Sequence, residues 1–98
     1  MRKRGVDPHQ ALCRTLMNLG AKRIACSRQR PWASATFSGA RHSFVIEIDP
    51  LIDGDFAELD EHEFDLPGHI AADVAVIDRS EAGSAVTLTL EILTVEDS

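Results

Sequence analysis

The chain has no tyrosine, one tryptophan and four phenylalanines among its 98 residues. So few aromatic rings argue against a stacking platform for single-stranded nucleic acid, which needs them at intervals along a basic groove. Cysteine is equally scarce. Cys13 and Cys26 fall outside any C-x-x-C spacing, which excludes a disulfide framework and a thiolate metal site. No apolar run approaches the length of a bilayer-spanning helix, so no membrane partner is expected. The basic opening MRKRG runs into Asp7, Pro8, His9 and Gln10, where a secretory signal needs an apolar stretch. Reduced thiols and a cytoplasmic location are the expectation. Nucleotide and hydrolase signatures are missing too: there is no P-loop, no G-x-G-x-x-G and no G-x-S-x-G.

One further scarcity is positional. The first 46 residues hold nine Lys and Arg against Asp7 alone, a net of +8, whereas residues 47–98 hold Arg79 against fifteen carboxylates, a net of −14. The overall charge of −6 conceals this split. Three arrangements accommodate it: the halves layer against each other in one fold, the basic half meets the acidic half of a second copy, or the basic part faces an anionic partner.

What is present reads as one domain, 1–98, with loose ends at 1–5 and 96–98. Asp7-Pro8-His9-Gln10 is a helix start, with a capping residue, proline at the first position and Gln three residues after the cap. Leu12, Leu16 and Leu19, with Cys13 and Met17, form an apolar stripe, and Gly20 closes a helix over 8–19. The period then changes to two. Strands are predicted over 22–29, over 32–38 after a break at Pro31, and over 42–49 after a Gly39-Ala40 turn. The acidic segment 53–66 has a capping-box spacing, Asp55 to Glu58, and predicts a second short helix carrying Phe56 and Leu59. Strands over 70–77 and 85–95 complete the chain. The expected class is α+β: a two-layer sandwich of order α-β-β-β-α-β-β, with a mostly antiparallel sheet of about five strands and both helices on one face.

Alternation divides the strands into two faces. Phe44, Ile46 and Ile48, then Ile70, Ala72, Val74 and Val76, then Val86, Leu88, Leu90 and Ile92 fall on the face expected beneath the helices, joined by Ala33, Ala35 and Phe37. The other face carries Trp32, Glu47, Asp73, Thr87, Thr89, Glu91 and several small residues. Its mixed character suits contact with another sheet.

The histidines lack metal-ligand spacing, and no metal or cofactor is expected. His62, within Asp60-Glu61-His62-Glu63, reads as part of a solvated acidic surface, and His9 as a surface residue of the first helical turn. His42 and His69 each begin a strand beside a tight turn, a place where a scaffold can hold a working side chain. His69 and Asp73 are a tempting acid–base pair, but four residues of strand separate them by about 13 Å at roughly 3.3 Å per residue. They cannot hydrogen-bond. Strand parity also sets His42 and His69 on opposite faces unless a bulge intervenes. If the chain is an enzyme, His42, His69 and Asp73 are its acid–base candidates and Arg41 its anion-binding one. Arg28, Arg30 and Arg41 with Trp32 form a candidate binding patch, although the low aromatic content and a pI near 5.0 argue against nucleic acid. The sequence therefore favours a non-catalytic binding or interaction module that self-associates as a homodimer, through the open sheet face or a strand edge. The alternative is a small enzyme or ligand-binding protein with its site at Arg41, His42, His69 and Asp73; no small-molecule ligand is singled out.

Overall fold

The computed structural model describes residues 7–52, 54, 56 and 58–96. Helix α1 spans Pro8–Leu19 and begins as its sequence dictates: the Asp7 carboxylate accepts from the His9 N–H at 3.0 Å, and Pro8 occupies the first turn. Gly20 ends it at φ 119°, a left-handed conformation in which its N–H reaches the carbonyls of Leu16 and Met17. Leu12 and Leu16 are fully buried and Met17 is exposed, so the buried stripe is narrower than its composition suggests.

Four antiparallel strands follow: β1 (Arg23–Ala33), β2 (Ser38–Ile48), β3 (His69–Ala82) and β4 (Ala85–Glu96). They lie in the spatial order β1-β2-β4-β3. The α+β class holds, but the architecture is simpler than the predicted α-β-β-β-α-β-β arrangement with five strands. The stretches 22–29 and 32–38 are not separate strands, because β1 runs through Pro31. An edge strand tolerates proline, since its outer side has no ladder to donate to. The turn consequently moves from Gly39-Ala40 to residues 34–37, where the Ser34 hydroxyl accepts from the Phe37 N–H at 3.1 Å. Phe37, expected in the core, is exposed in that turn. At the other hairpin β3 extends to Ala82, and Ala82 pairs with Ala85 across a two-residue loop.

The predicted second helix falls partly on residues 53, 55 and 57, outside the described residues, as does the proposed Asp55 cap. In the described part of that segment Gly54 and Phe56 are helical and Leu59–Glu61 forms a single 3-10 turn; another, Pro50–Ile52, precedes it. Together they bring Leu59 and the neighbouring Phe56 over the sheet, both buried as expected. The predicted loose ends 1–5 and 97–98 are likewise outside the described residues, while Glu96 still belongs to β4.

The core lies under α1 and the 50–66 segment. Phe44, Ile46 and Ile48 of β2 meet Leu90, Leu88 and Val86 of β4 in register, with Leu12, Leu16, Phe56, Leu59 and Leu66 packed above them. The two central strands follow strict alternation, and every second residue from Phe44 to Ile48 and from Val86 to Ile92 is buried. Each outer strand departs from it at a β-bulge. In β1 the register shifts between Ile24 and Cys26, so Ile24 packs on the core while Cys26, predicted on the same side, pairs with Val45 on the open face. In β3 it shifts twice, between Ala71 and Asp73 and between Val76 and Asp78. Ala71 and Val74 therefore pack against the core, while Ile70 (51% exposed) and Val76 (40%) do not become the buried residues that uninterrupted alternation predicts.

Candidate functional site

The bulge after Ala71 decides where the histidines go. It places His69 opposite Glu96 and Asp73 opposite Leu93, on different faces of the sheet. Cross-strand partners share a face, so His69 joins His42 and Thr94 on the covered side. The expected separation of His42 and His69 is thus reversed, and so is the sharing of a face by His69 and Asp73. Asp73 stands instead with Arg41: both pair with Leu93 on the open face. The four residues of the enzyme reading split two and two across the sheet.

On the covered side, the buried stripe of β2 and β4 turns polar at one end. His42 and Thr94 are both 0% exposed. The Thr94 hydroxyl donates to the Ala40 carbonyl at 3.3 Å, which leaves its oxygen to accept from His42 Nε2–H at 2.9 Å. His42 Nδ1 is then an acceptor, and His9 Nδ1–H of α1 donates to it at 2.9 Å. The three aromatic rings of His9, His42 and Phe44 lie nearly parallel, with His9 5.2 Å from His42 and 5.0 Å from Phe44. Burial pushes His42 down from the usual 6.5 to about 4; the charge of His9 adds to this, Asp7 opposes it, and His69 lowers it further. A shallow hollow of about 230 Å³ lies beside the chain, bounded by Asp7, Gln29, His69, Thr94 and Glu96.

His9 and Thr94 are the residues that sequence reasoning missed. His9 was legible only as a surface residue of the first helical turn, although the structure half-buries it, and Thr94 only as one β-branched residue of a regular strand. The available signal was that Thr94 occupies the inward parity of β4, where Val86 to Ile92 are apolar. A hydroxyl there requires a partner.

The open side of the sheet has a different chemistry. Register sets its residues in rows across β1, β2, β4 and β3: Trp32–Gly39–Val95–Ile70, Arg30–Arg41–Leu93–Asp73, Arg28–Ser43–Glu91–Ala75 and Cys26–Val45–Thr89–Asp78. Arg28, Arg30 and Arg41 line one hollow of about 390 Å³ together with Ser43 and Glu91. Arg30 and Arg41 are direct cross-strand partners, a like-charge pairing that is unfavourable by itself. Arg41 approaches Glu91 at 3.9 Å, both partly exposed, and such a contact is worth at most about 1 kcal/mol. Trp32 lies one row further on, and its buried Nε1 finds no acceptor among the described residues. The predicted binding set Arg28, Arg30, Arg41 and Trp32 therefore shares one face.

Among the described residues no cluster of His, Cys, Asp and Glu has the geometry of a metal site. No helix there is long and apolar enough to cross a membrane. Comparison with protein families, curated proteins and solved structures finds no match to this chain.

Proposed function

We propose that the protein is a non-catalytic binding module whose open sheet face is its contact surface, and that it self-associates through that face. The observation that carries this reading is the grading of charge across the four strands. On β1 the open side presents Arg23, Arg28 and Arg30, whereas on β3 it presents Asp73 and Asp78. Two copies of such a face complement each other in a way that two uniformly charged faces do not.

The strand edges are less suited to the task. β1 carries Pro31 and its arginines, and β3 carries two bulges and alternating charge, the features that blunt an edge against pairing. An enzyme built on Arg41, His42, His69 and Asp73 is disfavoured because the sheet lies between the two halves of the set. His42, moreover, has both ring nitrogens engaged and no exposed surface.

Light scattering on the full chain at micromolar concentration tests the reading. The expected molar mass is that of two 10.7 kDa chains, falling toward one as salt is raised. A single-chain mass at low salt and high concentration would overturn it.

A further inference from the structure

We infer that the two copies pack with their two-fold axis parallel to the strands, so that β1 of each lies over β3 of the other. This rests on self-association through the open face and adds its geometry. Two sheets that pack face to face with strands roughly aligned are related by a two-fold axis lying between them. That axis runs either along the strands or across them. An axis across the strands sets β1 over β1 and β3 over β3, opposing arginine to arginine and aspartate to aspartate. An axis along the strands exchanges the outer strands, and β2 then covers β4.

The second arrangement also preserves the level of each row. Arg30 and Arg41 of one copy lie over Asp73 and Leu93 of the other, and the same contact recurs on the far side of the axis. Sheets stack about 10 Å apart, a gap that an arginine and an aspartate reaching from opposite sides can close. One row on, Trp32 lies over Ile70, which is 51% exposed in the single chain. This supplies a large apolar contact on each side of the axis. The carboxylate that answers the unfavourable Arg30–Arg41 pairing is, on this geometry, Asp73 of the second copy.

The size is adequate as well. Four strands about 4.8 Å apart and about eleven residues long cover roughly 700 Å² per copy, close to the 800 Å² per partner of a standard interface.

Charge reversal and cross-linking test the orientation. Arg30→Asp and Asp73→Arg each raise the dimer dissociation constant by roughly tenfold or more, and the double variant restores it. Both side chains are exposed, and circular dichroism verifies that the variants fold. In an Asp78→Cys, Cys13→Ser variant, a short bifunctional thiol reagent such as dibromobimane links Cys26 of one copy to residue 78 of the other. Sheets about 10 Å apart hold facing Cα atoms too far apart for a direct disulfide but bring the two sulfurs within that reagent's reach. Within a single chain these positions are three strands apart, about 14 Å, beyond the reach of such a reagent. A dimer that resists both single reversals, or that cross-links Cys26 to Cys26 in place of residue 78, overturns the orientation and leaves self-association standing. A chain that stays monomeric at every concentration overturns both. A monomer that binds inorganic phosphate in an Arg30-dependent manner also overturns both and reassigns the arginines to an anion site.

Discussion

At His42 the sheet buries an imidazole completely and satisfies each of its nitrogens with one partner. The neutral ring suits this arrangement, because protonating Nδ1 would place a charge in a fully buried site and require His9 to give up its donor role there. The consequence for stability has a definite sign. The folded-state value of about 4 lies below the ordinary 6.5, so the unfolded chain takes up this proton first as pH falls. The contribution of neutral His42 is complete above about pH 6.5 and is lost progressively down to about pH 4. The total is of the order of 3 kcal/mol, at 1.36 kcal/mol per pH unit of displacement. Urea unfolding at intervals between pH 7 and pH 4 should show this slope, and His42→Leu should flatten it. Thr94 provides the complementary test. Thr94→Val keeps the shape but strands the buried Nε2–H of His42, a change expected to cost about 1–3 kcal/mol, whereas Thr94→Ser should cost less by retaining the acceptor. Equal losses in the two variants would count against the hydrogen bond as the cause.

Among the elements, the contrast between central and outer strands controls which side chains meet. β2 and β4 are held by neighbours on both sides and keep the two-residue period throughout. β1 and β3 each have one free side, and a bulge there costs only one ladder's hydrogen bonds. The bulge near Asp73 converts a sequence-adjacent His–Asp phrase into residues on opposite faces. Gly39 shows how tightly the inner pair is set. Its Cα lies so close to β4 that an added Cβ would overlap the Thr94 carbonyl oxygen, which is backbone and cannot swing aside. Gly39→Ala is therefore expected to destabilise by about 3 kcal/mol, the upper part of the range for overpacking. The same urea titration checks it. An unchanged midpoint would mean that β2 and β4 separate at that end more easily than the contact implies.

For the molecule as a whole, one face of the sheet is covered by α1 and the 50–66 segment, and the other is open and graded in charge. The two cysteines report on the two sides. Cys26 is exposed on β1, in the row of Val45, and Cys13 is half-buried on α1, where burial and the nearby Asp7 carboxylate raise its thiol above the usual value. At low protein concentration a thiol reagent should label Cys26 well before Cys13. As concentration rises into the range of self-association, Cys26 should become protected while Cys13 is unaffected. Labelling of Cys26 that is independent of concentration would contradict contact through this face.

Local chemistry made part of this protein legible from its sequence. Asp7, Pro8 and Gly20 punctuate α1 through capping and left-handed backbone, and strict alternation from Phe44 to Ile48 and from Val86 to Ile92 marks the two central strands. These signals act over a few residues, so no tertiary information is needed to read them. The grouping of Arg28, Arg30 and Arg41 was readable for a similar reason, since a hairpin brings near neighbours together. The course of the outer strands was not legible. Pro31 is a break in most strands and harmless only at an edge, and only the assembled sheet determines that β1 is an edge. A bulge inserts a single residue without a distinctive composition, yet it reverses the face of everything beyond it. The His9–His42–Thr94 chain depends on such long-range placement: it joins α1, β2 and β4 across 33 and 52 residues of sequence, and no local pattern records that meeting.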